Sequence, residues 1–238
     1  MKFRTISKYN NEKGATSEKV MMIRSKVALI SSVVILGICM YLYFPFPNNV
    51  MLEARSTFMS FPIRNQDGFI LLGIIGSILF IIAMILLVIG MKKYRFRTII
   101  IVVIVYAILP KLLITMYQES LANGITAISY DGNGHCNFEY VSEDLLNGEC
   151  NFVLYNRSGK DITFELEFLD SFFMEDEVRM ESLMNLAGPY ITTIEENRKK
   201  SIHLKELLEL SDVPKHIDGG TSNNIHFKLS DGEKTRTL

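Results

Sequence analysis

Apolar residues are unevenly spread along the chain: three long apolar runs precede residue 118, and an alternation of apolar and polar positions follows it. The first run is VALISSVVILGICMYLYF, eighteen uncharged residues from Val27 to Phe44, ending at Pro45 and Pro47. The second, Gly68 to Gly90, is twenty-three residues without a charge. The third, Ile99 to Tyr117, contains Pro110 and Lys111. Crossing about 30 Å of hydrocarbon takes roughly 20 residues at 1.5 Å each. The runs therefore predict transmembrane helices at about 27–44, 68–90 and 99–117.

Beyond residue 118 the period falls to two. Cys150, Phe152 and Leu154 share one face of CNFVLYN, and Ile162, Phe164, Leu166 and Phe168 alternate with Thr163, Glu165 and Glu167. Between them, Asn156 to Asp161 is a turn cluster. Ile225, Phe227 and Leu229 alternate with His226, Lys228 and Ser230 before an Asp231-Gly232 turn. Gly124–Tyr130, Cys136–Val141, Tyr190–Ile194 and Ser201–Leu204 complete the expected strands. Short strands with polar turns predict a mainly antiparallel β-sandwich. MEDEVRMESLMNLAG has helical spacing and a stop at Gly188-Pro189, and KELLEL, Lys205 to Leu210, reads as a second helical turn. The strand-turn rhythm resembles that of the immunoglobulin-like modules of bacterial surface proteins. Their Cys-Trp-Cys core is missing, since the chain has no Trp.

Charge divides the same two halves. Residues 1–117 carry 14 Lys/Arg against 4 Asp/Glu, and residues 118–238 carry 11 against 22. Basic residues crowd the segment 1–26 and the MKKYRFR link between the second and third runs, while Glu53, Arg55, Arg64 and Asp67 balance in the intervening loop. Counting positive charge in short flanks places 1–26 and the link in the cytoplasm and residues 118–238 outside a cell membrane. No small-x-small cleavage pattern follows the first run, and Tyr41, Tyr43, Phe44 and Phe46 suit an interfacial aromatic belt, so that run is expected to be retained. Lys111 lies six positions from Tyr117, about 9 Å along a helix, and its stem can snorkel to the outer interface. Pro110 is expected to loosen the last turn and a half. Gly73 and Ser77 give a small-xxx-small spacing for close helix contact.

Candidate chemistry is sparse. His135, His203, His216 and His226 have no zinc-ligand spacing, and alternation puts His226 on a solvated face. DGNGH, from Asp131, begins like a calcium loop but has Cys136 and Ser142 where Gly and Glu are required. No nucleophile elbow or phosphate loop occurs, and Glu165 and Glu167 point to solvent. Asn156-Arg-Ser158 matches a glycosylation sequon. Cys136-Asn-Phe and Cys150-Asn-Phe repeat a tripeptide. Outside a membrane thiols oxidise, Cys39 lies apart in the first run, and the turn Glu143 to Gly148 brings the strands side by side. A structural Cys136–Cys150 disulfide is therefore expected; closing its loop stabilises by about 3 kcal/mol in the chain-entropy model. These features predict a lipid-embedded, non-enzymatic protein without cofactor, metal or nucleic-acid partner, whose acidic outer domain binds a protein, ligand or envelope component. The alternative is a membrane-embedded sensor or regulatory subunit acting through a partner.

Overall fold

The computed structural model describes residues 23–48, 54, 56–65, 68–170, 178–223 and 225–238. The chain divides into two compact units, one of 1–44, 57–63 and 69–110 and one of 45–56, 64–68 and 111–238. Most of the basic segment 1–26 and much of the loop after the first apolar run fall outside the described residues.

The first unit is built on helices. The first apolar run forms α1, Lys26–Leu42, with the Ser25 hydroxyl accepting from the Ala28 N–H at 3.3 Å. At 17 residues it is shorter than the expected span and stops before Tyr43. The second run forms α2, Leu71–Gly90. Its buried residues Gly73, Gly76, Phe80, Ala83, Leu87 and Gly90 recur every three or four positions as one stripe. Ile75, Ile78, Ile82, Ile85 and Ile89, off that stripe, stay exposed. Ser32 of α1, fully buried, donates to the Ala83 carbonyl at 2.7 Å. The third run forms α3, Arg95–Ser120, which continues through Pro110 without ending. Two of these helices, α2 and α3, are long and apolar enough to cross a membrane, and α1 is a shorter apolar helix.

The loop between α1 and α2 holds a small sheet that the apolar pattern does not announce: β1 (Ser56–Phe58), β2 (Phe61–Asn65) and β3 (Gly68–Phe69). Phe61 is fully buried between Tyr43 and Phe80, at ring-centroid distances of 4.6 and 5.9 Å. Tyr43, expected in an interfacial belt, is instead buried, and its hydroxyl donates to the Leu72 carbonyl. Gly73 meets backbone rather than a second helix: a Cβ there would lie 1.7 Å from the Pro62 carbonyl oxygen. Gly73→Ala is expected to destabilise this unit by about 1–3 kcal/mol through overpacking. Thermal unfolding of the detergent-solubilised chain reads it, and Gly37→Ala, with nothing within 4 Å of the new Cβ, should leave the midpoint unchanged or raised.

The second unit is built on strands, all antiparallel. Its first sheet centres on β6 (Leu145–Asn156), twelve residues whose even positions are buried and odd positions more open. One side of β6 pairs with β5 (His135–Ser142) along its first half and with β4 (Ile128–Tyr130) at its end. The other side pairs throughout with β9 (Lys199–Glu209), and β10 (Gly220–Asn223) extends β5. The second sheet runs β12 (Thr235–Thr237), β11 (His226–Ser230), β7 (Ile162–Leu169), β8 (Tyr190–Ile194). Phe152 of the first sheet lies 4.3 Å from Phe227 and 6.0 Å from Phe168 of the second, so the two sheets share one apolar core.

Several local expectations are corrected here. KELLEL is the end of β9, because pairing with β6 along eleven residues overrides its helical propensity. Gly124–Ala127 is a 3-10 helix, and only Ile128–Tyr130 is strand. The expected helix at 174–188 is a 3-10 helix over Glu181–Ala187; residues 171–177 lie outside the described ones. Where β8 stops, the Asn185 side chain of this helix takes a strand's place, accepting from the Phe168 N–H and donating to its carbonyl, both at 2.8 Å. The β5–β6 turn is tighter than Glu143 to Gly148, since β6 starts at Leu145. Gly148 serves packing instead: a Cβ there would come within 2.7 Å of the Met184 sulfur.

Candidate functional site

The polar groups of the second unit sort into buried networks and open strand edges, of which that of β9 is the longest. One network surrounds Arg236 on β12, which is 6% exposed. Its Nη1 donates to the carbonyls of Ile125, Thr126 and Ile128 at 3.0, 3.0 and 2.5 Å, and its Nε donates to the Pro47 carbonyl at 3.0 Å. The guanidinium also sits 4.9 Å from the Phe46 ring centroid. Burial pulls its pKa down to about 10, so it stays a cation at neutral pH, held by carbonyl dipoles. Gln118, at the end of α3, donates to the Thr126 and Ile128 carbonyls at 3.1 and 3.0 Å.

A second network rules on the sequon. Asn156 is fully buried. Its Nδ2 donates to the carbonyls of Lys160, Ile194 and Glu195, and its Oδ1 accepts from the Ser158 N–H and hydroxyl. The amide that glycosylation would modify is thus occupied in tying two turns together. Beside it is a depression of about 640 Å³ lined by Gly159, Lys160, Asp161, Glu195, Glu196 and Arg198. Part of its charge is engaged locally: Arg198 pairs with Glu195 at 3.2 Å, and the Asp161 carboxylate accepts from the Glu196 N–H.

A third network lies at the start of β11. Glu181 is fully buried and accepts from the Ser222 hydroxyl. His226, expected on a solvated face, is only 5% exposed: alternation fixes which way a strand residue points, not what covers it. Burial lowers its pKa below the ordinary 6.5, against an opposing pull from Glu181. Protonation therefore favours the unfolded chain. This contribution to stability is fully present above pH 6.5 and is lost as pH falls from there towards the folded-state value. Urea unfolding is expected to weaken as pH falls below 6.5, with His226→Gln removing that slope. Asp131 and Asp231, whose carboxylates are held below their ordinary 3.8 first of all by backbone N–H groups, act only at lower pH. DGNGH is such a turn, with Asp131 accepting from the Asn133 N–H at 3.0 Å.

Cys136 and Cys150 lie directly opposite each other in the β5–β6 ladder, with Cα atoms 4.1 Å and sulfurs 1.98 Å apart. A Cα spacing this short marks a non-hydrogen-bonded pair. On the outer face of this sheet, His135 and His203 stand on either side of Asn151 in one row. His203 approaches the Asn151 side chain and lies 3.9 Å from Glu149, which also faces Lys205 at 3.7 Å. His216 contacts the Val213 carbonyl at 2.8 Å. Among the described residues no group of three or more His, Cys, Asp or Glu side chains converges to hold a metal. Glu165 and Glu167 are exposed, the latter 2.9 Å from Lys228.

The open feature is the free side of β9. The Asn156 N–H donates to the Arg198 carbonyl and the Leu210 N–H to the Asp144 carbonyl, just beyond the two ends of the β6–β9 ladder. Hydrogen-bonded pairs alternate along antiparallel strands, so the even residues of β9 bond to β6. The backbone groups of Lys199, Ser201, His203, Lys205, Leu207 and Glu209 then point away from the sheet. Among the described residues nothing bonds to them, and all six side chains are exposed. Sequence reading missed both Arg236 and this edge; the alternation marks a strand but not its place in the sheet. Compared with protein-family models, with curated proteins and with solved structures, the chain matches none of them.

Proposed function

We propose that the chain is a three-span cell-membrane protein, N terminus in the cytoplasm, whose C-terminal, immunoglobulin-like sandwich stands outside and binds a protein partner without catalysis. The observation that carries the binding role is the open β9 edge, eleven residues long beside a fully paired β6. Such an edge is a template for an added strand, giving affinity through main-chain hydrogen bonds. Lys199, Lys200 and Lys205 guard it against indiscriminate pairing. The charge split, the basic MKKYRFR link and the cysteine pair support the placement outside. The buried polar groups support a non-catalytic role, because Arg236, Asn156 and Glu181 are engaged in holding the fold.

Amine-reactive crosslinking in native membranes tests the reading. Specific adducts mapping to the β9 lysines, and lost when His203 is replaced by Pro, are expected. Adducts absent from β9 would sink it. A sensing or regulatory role is favoured by one further observation: Gln118 and Glu119, the end of α3, are bonded to the first strand region, the latter through Arg157 at 2.5 Å.

A further inference from the structure

We infer that the occupant of the β9 edge is a second copy of this chain, paired antiparallel to β9 about a two-fold axis at Leu204. This rests on the reading of the edge as the binding face and names its partner. In this register the outward-facing residues pair Lys199 with the partner copy's Glu209, Ser201 with the partner copy's Leu207, and His203 with the partner copy's Lys205. Those are the residues whose N–H and C=O groups point outwards, so each pair can exchange both backbone hydrogen bonds. The two-fold places the Lys199–Glu209 ion pair at both ends of the ladder, the self-complementarity that an isologous interface requires.

Neighbouring registers are worse. Moving the axis by one residue, to His203 or to Lys205, sets that residue against its own counterpart in the partner copy and breaks the Lys199–Glu209 pair; moving it to Ile202 sets Lys199 against the partner copy's Lys205, a like-charge pair directly opposed. Moving it to Glu206 leaves Lys199 and Ser201 with nothing opposite. The one unfavourable contact in the chosen register, His203 facing the partner copy's Lys205, is offset within each copy by Glu149. That carboxylate lies 3.9 Å from His203 and 3.7 Å from Lys205. The result is a sheet continuous across two copies, with opposite charges fixing its register.

The test is the oligomeric state of the full chain in detergent micelles, by sedimentation across a concentration series. A dimer is expected. Lys199→Glu and Glu209→Lys should each weaken it about tenfold or more, and the double exchange should restore it, because the pair is then merely reversed. His203→Pro removes an outward N–H that β6 does not use. It should abolish the dimer while leaving the thermal unfolding midpoint close to that of the native chain. A chain that stays monomeric up to about 50 µM overturns the proposal, as does a dimer that all four variants leave unchanged. Membrane crosslinks from β9 to a different protein, with a monomeric purified chain, overturn self-pairing yet leave the edge-binding function standing. Absence of specific crosslinks at β9 overturns both.

Discussion

Arg236→Ala is expected to destabilise the two-sheet unit by about 3–5 kcal/mol. The side chain is buried, and its removal strips donors from the carbonyls of Ile125, Thr126, Ile128 and Pro47. Gln118 still reaches Thr126 and Ile128, but the Ile125 and Pro47 carbonyls lose the donor described for them. Ile125 is fully buried, and a buried acceptor without a partner has neither its bond nor water, which is why the effect exceeds that of one hydrogen bond. Arg236→Lys should recover only part, since an ammonium reaching the carbonyls near Ile128 gives up the planar stacking on Phe46. Arg157→Ala, which removes a partly exposed pair with Glu119 and a bond to the Ser129 hydroxyl, should cost less, about 1–2 kcal/mol. Urea unfolding followed by circular dichroism measures all three. A loss below about 1 kcal/mol for Arg236→Ala would contradict the role given to the carbonyl cage.

Replacing Cys136 and Cys150 together by alanine is expected to cost about 3 kcal/mol, from the loop that the bridge closes. The sulfurs face each other from directly opposed strand positions, so the bond asks for no displacement of the strands. Thiol titration of the unfolded, unreduced chain should find one free thiol, Cys39, and three after reduction. Three thiols before reduction would show that the chain is not oxidised where it resides, and would weaken its placement outside the cytoplasm.

The parts legible in the sequence were those written in long periods. The uncharged run around Gly73 to Gly90 became α2, and the alternation from Ile162 to Phe168 became β7 with its apolar face inward. The opposed cysteines were legible because Cys39 lies apart in the first apolar run and a turn between Cys136 and Cys150 sets their strands side by side. Short or ambiguous stretches were not. KELLEL is helical by propensity and strand by tertiary pairing, because an eleven-residue ladder with β6 outweighs a few tenths of a kcal/mol per residue. Gly148 read as a turn residue, yet its missing Cβ makes room for Met184 from a 3-10 helix far along the chain. The small sheet β1–β3 was hidden in a loop whose buried residues are Phe61, meeting Tyr43 and Phe80, and its neighbour Pro62. Arg236 carried no local signal: its partners are backbone carbonyls more than a hundred residues away, and carbonyls have no sequence. The open edge of β9 was illegible for a related reason, since which strand ends a sheet is decided by topology.

Placement of the two-sheet domain outside the membrane underlies the whole functional account, and accessibility of cysteines to a membrane-impermeant thiol reagent tests it most directly. Single cysteines are introduced at Ser201, on the exposed face of β9, and at Lys93, in the MKKYRFR link, with Cys39 replaced by alanine. Labelling of the Ser201→Cys chain in intact cells, and of the Lys93→Cys chain only after permeabilisation, is the predicted result. The reverse pattern would contradict the account and take the oxidised cysteine pair and the outward-facing β9 edge with it.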